Sequence, residues 1–489
     1  MALSKEIYKE FEDVLGEENI CDDPAIMPAY YNTEFAAVLL PSNTAEVQAC
    51  VKLCNKHKMM FRPICTGWSG MFPKGIILMD LRRMNHIIEI NEKNMYAVVE
   101  PYVISSELQA ELMKRGLNFC IKGAGSNCSA MLRGHGHMDQ TTSGDDRNHL
   151  AIEWVTPEGD IVKSGALGSA DEWFCGDGPG PSLRAILTSA VPPGVTPGVF
   201  TKAAIKLYNW PGPSAFPIVG HSPKYTFSEI PANMMARYYS FPTVEKMWQA
   251  ELKLGEEEIC YELMGFNVAM VAANITTCNE EDEKMFNKLN KETQGPGFFV
   301  IVGGYSAADF AYKKKVIEKI VKEADGKSLK TLEDPELEGI LMCQCIRISA
   351  SIRETFRPGG AFNSIPIMGQ RDLTIKWAIG AGEAKKPLIK QGLIVDDGGA
   401  FFGWGVEQGH LGKTEIFCKF SPANPVAKKA VEQWQQEQTR RAFTEKYFAS
   451  TMGPQDEIGP ALCNYNLWWN KTIKAIDPNG VSPEGGALV

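Results

Sequence analysis

The stretch RPICTGWSGMFPKGIILMDLRRM, residues 62–84, places a Gly/Ser loop between two apolar strand-like runs, and this constrains the fold more than any other feature. A phosphate-cradling loop of the ATPase kind needs a Gly-Lys-Ser/Thr step that opens a helix. Here no lysine lies inside the loop, and the chain runs on from Ser69 and Gly70 into another strand, Ile76 to Leu81. The loop reads as a ligand-binding turn of a different kind from an ATP site.

The flanking segments predict an α+β region. TAEVQACVKLCNKHKM, from residue 44, sets Val47, Val51, Leu53 and Cys54 on one helical face, with Thr44 as the cap before Glu46. Three short β-rich runs follow the loop, IILMDL, HIIEI and YAVVEP, and then a helix, SSELQAELMKRG, that stops at Gly116. From 119 to 200 the chain turns Gly-rich, with KGAGSNCSAMLRGHGHMDQTTSGDD before and GVTPGV after a strand pair, AIEWVTPEGDIVKSG. A long Gly-rich stretch inside a domain usually forms a functional wall, because glycine lets backbone approach a ligand closely. NWPGPSAFPIVGHSPKY marks a domain boundary, after which amphipathic helices alternate with strands such as GFFVIVGGY and GKTEIFCKFSP.

At 489 residues the chain exceeds the size of a single core, so two domains are expected. A net charge of -9 and a pI near 5.5 argue against nucleic acid or an anionic membrane as partner, since both reward a basic patch. The 13 cysteines are odd in number and scattered, which fits a reducing, cytoplasmic setting better than a disulfide framework. MALSKEIYKEFEDVLGEE reads as an acidic amphipathic helix, and no apolar run reaches the length of about 18 residues that a membrane span needs, so a soluble, unexported protein is expected.

These pieces, in order, resemble the FAD-dependent oxidoreductases of the vanillyl-alcohol oxidase and p-cresol methylhydroxylase (PCMH) type, a fold shared with the glycolate oxidase flavoprotein subunit. The matching segments are TAEVQACVKLCNKHK, the TGWSG loop, GIILMDLRRMNHIIEIN, YAVVEPYV, GAGSN with RGHGH and GDD, PEGDIVKSG, GVTPGVFTKAAIKL and IDPNGVSPEGG. The resemblance implies an α+β, two-domain PCMH-type FAD-binding fold. Residues 1–212 and the returning segment 432–489 would bind FAD, and residues 213–431 would form an α/β substrate-cap domain.

The same resemblance implies that Thr66, Gly67, Trp68, Ser69 and Gly70 wrap the FAD pyrophosphate with backbone N–H groups, a nest that needs no lysine. Further cofactor contacts would come from Pro101, from Gly125, Ser126 and Ser129, from Arg133 and His135, and from Thr196, Gly198 and Val199. Where some relatives tether the flavin through histidine, this chain has Trp68 or Ser69, with Lys413 and Thr414 at the second tether position, so non-covalent FAD is expected. Cys128, His135 and His137 keep a tether open.

Oxidation by a flavin removes a hydride from the substrate and a proton from its hydroxyl, so a base or an anion-stabilising cation should face the cofactor. Asp145, with Asp146 beside it, matches an aspartate that stands near flavin N5 in vanillyl-alcohol oxidase. His137 is a flavin-facing acid/base candidate, Glu407 and His410 would approach from the cap strands, and Lys446 falls near an arginine that stabilises phenolate. His135 and His137, two apart, would suit a metal only with further ligands, and no metal is assigned.

The expected reaction is dehydrogenation of a small-molecule alcohol, phenolic or hydroxy-acid substrate by hydride transfer to flavin N5, with electrons passing to oxygen or an electron-transfer protein. The alternatives are a metal-assisted D-2-hydroxy-acid dehydrogenase subunit and an electron-relay FAD subunit without catalysis of its own. Association into a homo-oligomer is left open.

Overall fold

In the computed structural model of the chain, residues 3–30, 34–67, 72–122, 127–131, 136–137, 148–176, 197–221, 224–347, 360–397, 401–447 and 464–482 are described. The first sheet has the strand order Ile20–Cys21, Ala37–Leu39, Ile77–Asp80, Phe61–Ile64. Its last three strands are parallel. A parallel pair needs a crossover, and helix Thr44–Lys56 supplies it.

That helix buries Val47, Cys50, Val51 and Cys54, an i, i+3, i+4, i+7 stripe, against Phe11 and Leu15 of helix Lys5–Leu15. Asn43, and not Thr44, is its cap. The Asn43 side chain accepts from Glu46 N at 3.0 Å, and the Glu46 carboxylate reaches back to Ser42 N at 2.7 Å. The Thr44 hydroxyl instead donates to Glu153 of the second sheet at 2.7 Å, which ties the two sheets together.

The second sheet is antiparallel, in the order Ile161–Lys163, His149–Val155, Val199–Asn209, Tyr96–Val99, Ile87–Asn91, with Leu117–Phe119 beside the far end of the long central strand. Ala97, Val99, Ile152, Trp154, Ala203 and Ile205 pack there against Leu108 and Leu112 of helix Ser105–Met113.

A late segment completes the first half. Phe61 N donates to Val481 O at 2.8 Å, Gly198 N to Ser482 Oγ at 2.8 Å, and Asn479 Nδ2 to Asn55 Oδ1 at 2.8 Å. Val481 is 2% exposed and sits in the core of the first sheet. Asp477 holds the turn by accepting from Val481 N and Ser482 N.

Between these pieces lies a seven-stranded antiparallel sheet in the order Lys327–Ser328, Met234–Ser240, Gly297–Gly303, Glu262–Phe266, Phe401–Val406, Leu411–Phe420, Ala361–Gln370. Alternation along its strands makes two cores. Met235, Tyr239, Leu263 and Phe298 pack under helices Val244–Glu256 and Ala307–Glu323, while Ala236, Tyr238, Met264 and Phe299 face helices Val268–Ile275 and Pro335–Arg347.

The second of these cores meets the first half of the molecule. Asn118 Nδ2 donates to the Tyr261 hydroxyl at 2.5 Å, Gln109 Nε2 donates to Ile346 O at 2.9 Å, and Trp210 stands edge-on to Tyr261 with ring centroids 4.8 Å apart. Among the described residues no helix is long and apolar enough to cross a membrane.

Candidate cofactor site

Strand Phe61–Ile64 delivers Cys65, Thr66 and Gly67 to the start of the Gly/Ser loop. Gly67 has φ +72°, a left-handed conformation that favours glycine. Thr66 Oγ1 is buried and has no hydrogen-bond partner among the described residues. Leaving a buried hydroxyl unpaired costs about 1–3 kcal/mol, which makes Thr66 a candidate ligand contact.

A second connection comes up beside this turn. Ala130 N donates to Val103 O at 2.7 Å, and Ser105 donates to Cys128 O through both its N–H at 2.8 Å and its hydroxyl at 3.0 Å. The loop so held presents Ser129, whose hydroxyl donates to Pro101 O at 2.5 Å, accepts from Met131 N at 3.1 Å and bonds the Cys65 thiol. Thus Cys65 and its neighbours Thr66 and Gly67, Pro101 and Ser129 converge from three separate connections.

Behind the node lies a polar anchor that the sequence reading missed. Asp80, 1% exposed, accepts from the Tyr30 hydroxyl at 3.0 Å, Arg82 N at 3.0 Å and Arg82 Nε at 2.7 Å. The hydrogen bond to Asp80 raises the Arg82 guanidinium further, while burial, with the Asp80 charge adding, pushes Tyr30 up to about 12. Burial and then Asp80 push the Cys65 thiol up to about 12 as well. The available signal was Asp-Leu-Arg at a strand end, where an aspartate turns back on the N–H two residues on.

The remaining expected residues fall as follows. Trp68, Ser69, Gly70, Gly125, Ser126, Arg133, His135, Asp145, Asp146 and Thr196 lie outside the described residues. His137 ends the two-residue strand Gly136–His137, which pairs with Ile121–Lys122. Cys128 is 1% exposed and burial pushes its thiol up to about 12, so it is held protonated at neutral pH.

Gly198 and Val199 are committed to the protein itself. Gly198 N donates to Ser482, a Cβ on Gly198 would lie 2.4 Å from Val155 O, and Val199 is fully buried in the core of the first sheet. Glu407 and His410 flank the tight turn between strands Phe401–Val406 and Leu411–Phe420, which packs against Gly255 of helix Val244–Glu256. Lys446 is exposed just past helix Pro425–Thr444, and Lys413 pairs with Glu415 at 3.0 Å.

Residues 35–165, which contain the Thr66 turn, Pro101 and Ser129, match the FAD binding domain family. The 1'-carboxy-chondrochloren decarboxylase of Chondromyces crocatus is 28% identical over 203 residues, covering 37% of this chain and 37% of that protein. The chain thus matches well under half the length of that relative. A probable mitochondrial D-lactate dehydrogenase of Danio rerio is 22% identical over 350 residues, covering 68% of this chain and 63% of that one. Among solved structures, p-cresol methylhydroxylase with substrate bound superposes with a TM-score of 0.73 at 16% identity, over 98% of this chain and 95% of that one.

Residues 35–165 therefore form an FAD binding domain. The whole has the two-domain fold of p-cresol methylhydroxylase, and FAD is its cofactor.

Proposed function

We propose that this protein is an FAD-dependent oxidoreductase that dehydrogenates a small alcohol, phenolic or hydroxy-acid substrate, with electrons leaving to oxygen or a protein partner. The observation that carries the reading is the Thr66 hydroxyl, buried and without a partner beside a positive-φ glycine, within the segment that matches FAD binding domains. Such a turn offers donors to a ligand rich in acceptor oxygens, as the FAD pyrophosphate is. Bound FAD supplies the hydride acceptor.

The chain's own part is binding and proton handling. Thr66 and the Gly67 turn would hold the pyrophosphate, with Ser129 fixing the neighbouring wall through Pro101. Asp145 would take the substrate proton, and His137 would serve as the second acid/base group, both roles resting on the sequence resemblance. The raised Cys128 thiol supports non-covalent FAD, because a tether needs the thiolate.

A second reading, a D-2-hydroxy-acid dehydrogenase, draws on the D-lactate dehydrogenase alignment, which spans 68% of the chain. Anaerobic titration of the flavin-loaded protein with primary alcohols, 4-alkylphenols and D-2-hydroxy acids separates the two. Bleaching of the flavin absorption by alcohols or phenols alone supports a reading without hydroxy acids, and bleaching by D-2-hydroxy acids alone selects the second. Protein that stays colourless after incubation with FAD would overturn both.

A further inference from the structure

On the far side of the cap sheet lies a groove of about 390 Å³ that the proposed redox chemistry does not use. Its floor is the strand Met234–Ser240, whose alternation turns Met235, Arg237 and Tyr239 to one side. Helix Ala307–Glu323 gives one wall, with Lys314, Glu318 and Lys322. The other wall is the turn from Gly326 to Glu333, with Lys327 and Lys330. Five cations therefore face two carboxylates in a protein whose net charge is -9.

Two of those cations are already neutralised. Lys330 pairs with Glu333 at 2.9 Å, and Arg237 pairs with Glu338 at 2.7 Å while donating to Ala236 O at 2.6 Å. Lys314, Lys322 and Lys327 have no ion-pair partner among the described residues. Against these three ammonium groups stands the single carboxylate of Glu318, so the concavity keeps a net positive charge that an entering anion would offset.

An independent observation points the same way. Tyr239 is 5% exposed and lines the groove, yet its hydroxyl makes no hydrogen bond among the described residues. The ring is buried while the hydroxyl is left available to a group entering the groove. Neighbouring Ser328, opposite Tyr239 in the strand pair, also lines the groove, but its hydroxyl donates to Glu333 at 2.6 Å.

We propose that this groove binds a compact polyanion carrying two or more phosphate or carboxylate groups. Lys314, Lys322 and Lys327 neutralise it, and the Tyr239 hydroxyl donates to one of its oxygens. The site is separate from the flavin node, so it stands or falls independently of the redox reading.

Calorimetric titration of the flavin-loaded full chain with inorganic pyrophosphate and, in a second arm, citrate tests this. Expected is saturable one-to-one binding that weakens as salt is added. Tighter pyrophosphate binding assigns a phosphorylated ligand, and tighter citrate binding a polycarboxylate. The Lys322→Ala/Lys327→Ala double variant should bind at least about tenfold more weakly, since charge-assisted hydrogen bonds are the strong ones. Tyr239→Phe should weaken binding by a smaller factor while leaving the flavin spectrum and unfolding midpoint unchanged. Failure of both anions to saturate by millimolar concentration would overturn the proposal, as would unchanged affinity in the double variant.

Discussion

The buried ion pairs of the cap and the buried hydroxyl at the FAD-binding turn set two kinds of polar burial side by side. In the cap, Arg371 and Glu251 are 1% and 0% exposed and pair at 2.8 Å, and the guanidinium also donates to Lys413 O and Thr414 Oγ1. Lys385 and Asp397, equally buried, pair at 2.7 Å. In the flavin half, Asp80 and Ser129 are satisfied, but the Thr66 hydroxyl has no partner among the described residues. These pairs close charge on the cap itself and act as scaffold, whereas the Thr66 hydroxyl, like the Thr226 hydroxyl and the Trp248 indole N–H of the cap, has no partner among the described residues.

The sharpest way to break this contrast is Glu251→Ala. Removing one partner strands Arg371 without compensation, and the expected loss is about 3–5 kcal/mol in urea unfolding. A Glu251→Leu/Arg371→Met double variant should recover most of that loss. If the single variant unfolds like the wild type, the cap is not held in the way described.

Lys419 offers a pH test of the same scaffold. It is 2% exposed, and burial lowers its ammonium from the usual lysine range to about 7. The unfolded chain then binds more protons than the folded one above that pH. Stability should therefore rise from about pH 7 toward the ordinary lysine pKa, with a slope approaching about 1.4 kcal/mol per pH unit. Lys419→Met should flatten the rise and stabilise the protein at neutral pH.

Thr66→Val sharpens the other side of the comparison. Valine keeps the shape and deletes the unpaired hydroxyl, so apoprotein stability should hold or increase. FAD affinity, read by flavin fluorescence titration of the apoprotein, should fall by about tenfold. Equal affinity would show that the hydroxyl does not serve the cofactor. The smallest effect belongs to Ser482→Ala, which removes the acceptor for Gly198 N–H and should cost about 1 kcal/mol.

Local pattern made much of the first half legible. The apolar spacing of Val47, Val51 and Cys54 gave the helix, and the β-rich runs gave strands Ile77–Asp80, Ile87–Asn91 and Tyr96–Val99. Thr44 misled because threonine and asparagine both suit a cap, and only the fold decides that the Thr44 hydroxyl faces Glu153. Family order put forward Thr66, Pro101 and Ser129, and the fold joins Ser129 to Pro101 and to Cys65 beside Thr66. Asp80 and Tyr30 were not, because their meeting spans 50 positions and leaves no mark on local periodicity.

The joint between Asn479 and Asn55, 424 positions apart, bears on the order of events during synthesis. A ribosome must deliver the whole cap before Val481 and Ser482 exist to dock on Phe61 and Gly198. The cap's local contacts can form first, while the nucleotide half waits for residues 477–482, so cofactor capture should be a late event that follows their synthesis.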